Sequence, residues 1–156
     1  MHNEFSYGME LALKEAERAY EEGEIPVGAV VLLNGKIIGK GHNQVERLKD
    51  PTAHSEIIAI TAAAAHQESK WLYEAELYVT KEPCAMCAGA IVHSRLKRVI
   101  IGASDPKSGA CGSVMNIVQH PKLNHSVEII NCVEEEKCSV LIRSFFEKLR
   151  KEGKEF

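Results

Sequence analysis

Four side chains in this sequence could do chemistry together. Cys84 and Cys87 directly follow Pro83, and His54 and Glu56 lie about thirty residues upstream. Two thiols three positions apart lie on one face of a helix, so both can reach one ion. The partial positive charge of a helix N-terminus favours the thiolate that binds metal. By itself the cysteine pair is compatible with a zinc site, a redox dithiol or two buried small side chains.

His54 and Glu56 make the metal interpretation the strongest. Taken alone, a histidine is most often structural and a helix carboxylate most often solvated. Positions i and i+2 diverge on a helix, so His54 can hold a metal while Glu56 faces another edge of the same site. One imidazole and two thiolates leave Zn²⁺ formally neutral, with one tetrahedral position for a water that becomes acidic. The pattern therefore predicts zinc held by His54, Cys84 and Cys87, and Glu56 as general acid and base.

The hydrophobic pattern predicts the elements that must position these side chains. An apolar stripe over residues 5–20 predicts a helix, and Asn34-Gly35 between two apolar runs predicts a hairpin. Pro83 is expected at the first position of a helix that ends near Ser94. Further helices are predicted over 54–67, 113–118 and a closing stripe from Cys138 to Leu149, strands over 77–80, 98–103 and 127–130, and a loop over 105–112.

This order of elements predicts an α/β fold with one mixed sheet and helices on its faces. The 156 residues, 45% of them hydrophobic, fit a single domain over residues 1–156. A net charge of −3 shows no global basic excess, so any RNA contact must be local. No apolar run is long enough to span a membrane, and five cysteines without a secretion signal indicate a cytoplasmic protein.

The spacing H-x-E followed by P-C-x-x-C is the signature of the zinc-dependent cytidine and deoxycytidylate deaminases. Within that superfamily the sequence resembles the bacterial tRNA-specific adenosine deaminases along nearly its whole length. The stretches D-P-K-x-G and G-S-x-M-N point to this tRNA branch. The resemblance is carried by EIPVGAVV (24–31), GHN (41–43), DPTAHSE (50–56), LYVTKEPCAMCAGAIVHSR (77–95), GASDPKSGACGSVMN (102–116), LNH (123–125) and SFFEKLR (144–150).

The resemblance implies a three-layer cytidine-deaminase-like fold with a mixed five-stranded sheet, an antiparallel hairpin first and then largely parallel strands. It also implies one zinc ion per chain on His54, Cys84 and Cys87, with Glu56 moving protons to the base ring and to the leaving ammonia. The implied reaction is hydrolytic conversion of the wobble adenosine of a tRNA anticodon stem-loop to inosine by a homodimer. Asn43 matches the family asparagine that hydrogen-bonds the flipped purine.

Two further residues are candidates for RNA contacts. Lys107 lies in a predicted loop where it could meet a phosphate, and Phe145 lies on the closing helix. Phe145 also fits a plain core position, and the cations of the closing helix also fit a solvated C-terminal face. Ser55 departs from the alanine usual in the family, which could change the polarity of the pocket.

Two other functions remain open from the sequence. The same scaffold could deaminate a free base or nucleotide such as guanine or deoxycytidylate, an alternative that the D-P-K-x-G stretch disfavours. A non-catalytic RNA-binding or partner subunit with structural zinc is the other, and Glu56 argues against it because such a subunit needs no acid/base carboxylate. The sequence does not decide whether Cys111 completes the metal shell.

Overall fold

The computed structural model describes residues 3–156, in which five strands form one mixed sheet between two layers of helices. The sheet order is β2-β1-β3-β4-β5; β1 is antiparallel to β2 and β3, and β3, β4 and β5 are parallel. The predicted mixed α/β sheet is therefore confirmed. The helices are α1 (Asn3–Glu21), α2 (Val45–Leu48), α3 (Ser55–Gln67), α4 (Ala85–His93) and α5 (Glu135–Lys151), and the strands are β1 (Gly28–Leu33), β2 (Lys36–His42), β3 (Glu76–Lys81), β4 (Arg98–Ala103) and β5 (Glu128–Ile130).

Helices α1 and α5 pack on one face of the sheet, and α3 and α4 pack on the other. The interior strand β1 is consequently buried on both sides. Val30 and Leu32 belong to the core under α1, whereas Ala29 and Val31 belong to the core under α3 and α4. This explains why β1 reads as a continuous apolar run without polar alternation. None of the helices described for residues 3–156 combines the length and apolar character needed to cross a membrane.

Several chain segments meet at one edge of the sheet. The parallel strands β3 and β4 both end there, since Lys81 pairs with Ala103 at their carboxyl ends. The start of β1 and the end of β2 lie at the same edge, because Gly28 pairs with His42. The loops that leave this edge carry most of the candidate site residues, as is usual where strands of an α/β sheet end.

The start of α4 differs from the sequence prediction. The helix begins at Ala85, and Cys84 is the residue that caps it with an extended backbone (φ −76°, ψ 178°). The first helical hydrogen bond runs from the Ala88 N–H to the Cys84 carbonyl at 2.8 Å. Pro83 is therefore outside the helix, where its carbonyl accepts the Ala110 N–H at 2.8 Å. That contact ties the start of α4 to the loop that follows β4.

The helix predicted over residues 113–118 is wrong. This segment consists of turns, with an isolated antiparallel bridge between Cys111 and Asn116. The hydrophobic pattern also gives no sign of α2, a helix of four residues. The backbone N–H groups of Glu46 and Arg47 in this helix donate to the buried Glu24 carboxylate. Both local structures depend on contacts with distant residues, which a local pattern cannot show.

Gly39 provides a direct test of how closely β2 approaches α3. A Cβ atom at Gly39 would lie 2.6 Å from the Ala63 backbone nitrogen and closer still to the Ala59 carbonyl oxygen. We expect Gly39→Ala to lower the free energy of unfolding by about 1–3 kcal/mol, because backbone atoms cannot rotate away. Denaturant unfolding measures this, with Lys40→Ala at the exposed neighbouring position as the control. Equal stabilities of the two variants would contradict the close approach.

Candidate active site

Three metal-binding atoms converge where two helices begin. His54 immediately precedes α3, Cys84 immediately precedes α4, and Cys87 lies in the first turn of α4. The His54 Nδ1 atom lies 3.7 Å from the Cys84 sulfur and 3.5 Å from the Cys87 sulfur. Within residues 3–156, these are the side chains that form a potential metal-binding group, with all ligand atoms within 4.8 Å of one another.

The donor set fits zinc in both chemistry and spacing. At usual Zn–S and Zn–N bond lengths, two ligands of a tetrahedral site lie about 3.6 Å apart, which matches the sulfur–nitrogen distances. Neither Glu56 nor Cys111 belongs to the group, although both are buried. The described residues thus offer three ligands, as in catalytic zinc sites, and not the four of a structural site.

The two thiols share their hydrogen bonding unequally. The contact with Cys87, followed by the contact with His54, lowers the pKa of Cys84 to about 3. The same contact with Cys84, together with burial, raises the pKa of Cys87. The hydrogen bond to Cys84 also raises the pKa of His54. Metal binding to this group therefore requires loss of the Cys87 proton, since zinc takes thiolates and neutral imidazole.

Glu56 is a buried carboxyl group in the first turn of α3. Its side chain is 4% exposed, and burial raises its pKa above the ordinary value. The Ser55 hydroxyl donates a hydrogen bond of 2.7 Å to the Glu56 Oε1 atom and partly opposes that rise. A carboxyl group with a raised pKa can both accept and donate a proton in one reaction cycle. The polar effect expected of Ser55 is thus a hydrogen bond to Glu56.

One cavity of about 310 Å³ has His54, Glu56 and Cys84 in its wall. Its opening lies at the sheet edge where β3 and β4 end. The wall combines apolar side chains with polar groups and one exposed aromatic ring. The lining residues are Glu24, Ile25, Val27, Asn43, Val45, Glu46, His54, Glu56, Lys81, Glu82, Cys84, Asp105, Ser108 and Phe156.

Asn43 lines this cavity with its amide already held by protein contacts. The Nδ2 group donates to the Ile25 carbonyl at 3.1 Å, and Oδ1 accepts the Ser55 N–H at 2.9 Å. A primary amide has two donors and two acceptor lone pairs, so one of each is left for a ligand. The two protein bonds fix the orientation in which these remaining groups are presented.

The two candidate RNA contacts have different environments. Lys107 is exposed in the loop after β4, and its backbone N–H donates to Asp105, which lines the cavity. Phe145 is 3% exposed and packs edge-on against Tyr20, with ring centroids 5.7 Å apart. Its ring therefore occupies the core position that the apolar stripe of α5 also allowed. The aromatic residue in the cavity wall is Phe156, which belongs to none of the motifs in the sequence.

Glu82 organises the loop beside the cavity, and sequence reasoning missed it. Its carboxylate accepts hydrogen bonds from the backbone N–H groups of Asp105, Cys111 and Ser113 at 3.0–3.1 Å, and from the Ser113 hydroxyl. Burial disfavours the ionised form, but these hydrogen bonds outweigh it and lower the pKa of Glu82. A Cβ atom at Gly109 would overlap the same carboxylate. The loop is thus folded around one buried charge.

Glu82→Gln tests this arrangement, because an amide nitrogen would replace one acceptor oxygen and face N–H donors. We expect the free energy of unfolding to fall by about 1.5–3 kcal/mol, the usual range for hydrogen bonds to a charged group. Amide hydrogen exchange should accelerate at Asp105, Cys111 and Ser113. The control is Glu74→Gln, which removes an exposed carboxylate paired with a lysine and should change stability little. Unchanged exchange at the three amides would contradict the role of Glu82.

Known proteins resemble this chain over most of its length. Residues 2–103 match the family model of the cytidine and deoxycytidylate deaminase zinc-binding region. The tRNA-specific adenosine deaminase of Aquifex aeolicus (strain VF5) is 50% identical over 92% of this chain and 95% of its own. The enzyme of the same name from Bacillus subtilis (strain 168) is 45% identical over 94% of this chain and 91% of its own.

Solved structures also resemble this chain over most of its length. A chain from a study of A-to-I editing by tRNA deaminases at the wobble position of transfer RNA has a TM-score of 0.83 and 40% identity, and the match covers 86% of this chain and 98% of that one. A guanine deaminase from Nitrosomonas europaea has a TM-score of 0.70 and 22% identity, covering 89% of this chain and 80% of that one. At that identity the second match shows a shared fold only.

Proposed function

The chain belongs to the tRNA-specific adenosine deaminases, within the family that carries the cytidine and deoxycytidylate deaminase zinc-binding region, and we propose that it hydrolyses the wobble adenosine of a tRNA anticodon to inosine. The observation that carries the proposal is a group of three zinc-type ligands, two of which line one cavity together with a buried, non-ligating carboxyl group. A chain that only bound RNA would need no such group.

The metal-binding role falls to His54, Cys84 and Cys87, with one zinc ion per chain. When bound, zinc supplies a Lewis acid that brings the pKa of water close to neutrality. The three residues come from the starts of α3 and α4, so their spacing is set by how these helices pack on the sheet. The partial positive charge of a helix N-terminus also favours the ionised thiols.

Glu56 has the proton-transfer role in this proposal. Replacing the amino group at C6 of adenine by oxygen requires both protons to leave the attacking water, one to reach the base ring and one to reach the departing ammonia. A single carboxyl group beside the reacting carbon can carry these protons in succession. The raised pKa of Glu56 supports this role, because both of its protonation states are then accessible.

Asn43 and the apolar part of the cavity wall would orient the base. The remaining N–H and lone pair of the Asn43 amide can hydrogen-bond the edge of a purine. Ile25, Val27 and Val45 supply apolar surface for its faces. An extruded nucleobase is usually held in this way, by hydrogen bonds to its edge and packing against its ring.

The loop after β4 would give local contact with RNA in a chain of net charge −3. Lys107 is exposed there, next to Asp105 and Ser108 of the cavity wall. A phosphate contact at Lys107 would position the anticodon loop without reading its sequence. The nearest enzymatic alternative, deamination of a free base or nucleotide, would not need this contact.

We also propose that the enzyme acts as a homodimer in the cytoplasm. The outer face of α3 and α4 forms a groove lined by Ile60, Ala64 and Ala90, and the neighbouring Trp71 is 43% exposed. Exposed apolar surface of this kind often marks an interface between proteins. Sedimentation of the purified protein at several concentrations would give its oligomeric state.

Substitutions of Glu56 and of the metal ligands should have different effects on zinc binding and on turnover. Glu56→Gln should keep zinc while turnover falls by a factor of about 10²–10⁴, because acid/base transfer is lost and the ligands remain. Cys84→Ala should lose both the zinc and the turnover, since the two remaining protein ligands hold zinc poorly. Metal analysis and a deamination assay on the purified proteins measure both effects. Near-native turnover in Glu56→Gln would exclude the proposed role.

The substrate assignment predicts that an adenosine-containing anticodon stem-loop reacts far better than free adenosine. The loop adds phosphate contacts and stacking that can offset the few kcal/mol needed to extrude the base. Parallel assays should use the stem-loop, free adenosine, cytidine, deoxycytidylate and guanine. Higher salt should weaken stem-loop binding, and Lys107→Ala should weaken it more than it affects a minimal substrate.

The outcomes of this assay distinguish the two enzymatic alternatives. Inosine formed in the stem-loop, with little reaction of the free compounds, supports tRNA editing. Efficient turnover of guanine or deoxycytidylate with no inosine in the stem-loop would replace tRNA editing by metabolic deamination. Glu56→Gln is the control that links either activity to the cavity.

A further inference from the structure

The aromatic surface at the substrate cavity comes from the segment beyond α5. Phe156 lines the cavity together with His54 and Glu56, and its side chain is 55% exposed. Of the two aromatic residues of α5, Phe145 is buried, and the half-buried Phe146 is not among the residues that line the cavity. Among the described residues that line the cavity, Phe156 is thus the one Phe, Tyr or Trp side chain, and it is open to solvent.

The end of α5 explains how Phe156 reaches this position. Gly153 adopts a left-handed conformation (φ +67°), which ends the helix and reverses the chain. The Lys154 N–H then donates to the Leu149 carbonyl at 2.9 Å, which closes the turn. The Phe156 ring returns to α5 and packs edge-on against Phe145, with centroids 5.6 Å apart.

The Phe156 ring packs on the Phe145 ring, which in turn contacts the Tyr20 ring. Phe145 contacts Phe156 at 5.6 Å and Tyr20 at 5.7 Å, both in edge-to-face geometry. Tyr20 belongs to α1, so the exposed ring rests on an aromatic pair that joins two helices of the same layer. Edge-to-face pairs stabilise each other beyond simple burial. The ring is thus held at the cavity while part of its surface stays open.

The charges of the same segment do not account for RNA binding by themselves. The cations Lys148, Arg150, Lys151 and Lys154 alternate with Glu147, Glu152 and Glu155. Lys154 is paired with Glu152 at 3.1 Å, and Lys148 lies over the Tyr20 ring. The segment therefore offers an aromatic contact more clearly than a basic one.

We infer that Phe156 is a substrate-binding residue that stacks on the nucleobase next to the target adenosine in the anticodon loop. This inference rests on the proposed function, because it takes single-stranded RNA as the ligand. The cavity holds the extruded base, so the neighbouring bases must lie at its rim, where Phe156 is exposed. Unpaired bases splayed from an RNA loop commonly stack on aromatic side chains.

The test uses full-length protein with Glu56→Gln, which prevents turnover, and a stem-loop with 2-aminopurine next to the target adenosine. Stacking quenches the fluorescence of 2-aminopurine, and titration gives the dissociation constant. Phe156→Leu keeps apolar packing on Phe145 but removes the aromatic face, and Phe156→Tyr keeps that face. The control is Tyr73→Ala, an equally exposed aromatic residue outside the cavity lining.

Phe156→Leu should bind the stem-loop about 10-fold more weakly, as expected for one lost base–aromatic stack, and should show less quenching. Phe156→Tyr should restore the affinity and the quenching, and Tyr73→Ala should change neither the affinity nor the quenching. All variants should have the melting temperature of the parent. Equal binding and quenching in the parent and Phe156→Leu would overturn the inference. Weaker binding that Phe156→Tyr does not restore would also overturn it, since the role would then be structural.

Wild-type turnover separates this inference from the proposed function. If the wild-type protein forms inosine in the stem-loop and Phe156→Leu leaves binding unchanged, tRNA editing stands and the stacking contact is wrong. If no inosine forms but binding depends on the Phe156 ring, the contact stands and the reaction needs another substrate. Absence of both stem-loop binding and turnover would overturn both.

Discussion

The close contact between α3 and β2 is the constraint on which the active site depends. Gly39 and Gly41 let the helix backbone lie directly on the strand, with no side chain between them. A Cβ atom at Gly41 would lie 2.6 Å from the Ser55 carbonyl oxygen, so the first turn of α3 is fixed against the strand. His54 and Glu56 belong to that turn and its cap, and their positions follow from this contact.

The electrostatics of the site follow from the same packing. Because the first turn of α3 lies against the sheet, Glu56 is removed from solvent, and burial raises its pKa. The N-terminus of α4 faces the same space and brings two sulfur atoms to His54. A buried carboxyl group and a thiol pair are therefore close together; burial raises the pKa of the carboxyl group, and helix ends favour the ionised thiols. Their separate roles arise from environment, since both sit at helix starts.

The parts of the structure that depend on short-range patterns could be predicted from the sequence, and those that depend on distant contacts could not. The Asn34-Gly35 hairpin has both residues in the left-handed region, as its sequence indicates. By contrast, the turns that begin near Cys111 are held by Glu82, about thirty residues earlier, which accepts the backbone N–H groups of Cys111 and Ser113. The helix α2 likewise depends on Glu24, more than twenty residues away.

The residues of the candidate site also divide into those that a short-range pattern predicts and those that depend on distant contacts. His54, Glu56, Cys84 and Cys87 could be grouped because each pair has a characteristic spacing within one helix start. The apolar stripe of α5 does not fix the packing of Phe145, because it does not show which of its rings face a neighbouring helix. No pattern in the sequence indicates that Phe156 lines the cavity, because only the reversal of the chain at Gly153 brings it there.

Under the proposed function, the reaction and the choice of substrate consequently depend on different parts of the chain. His54, Glu56, Cys84 and Cys87 lie at the starts of α3 and α4, and the fold that contains these helices is shared with a guanine deaminase that is only 22% identical. The rim of the cavity comes from the loop around Glu82 and from the segment beyond α5, neither of which forms part of the sheet. Changes in these segments can alter what enters the cavity while leaving the ligands in place. Substrate specificity within this fold should therefore follow the rim, and the reaction should follow the helix starts.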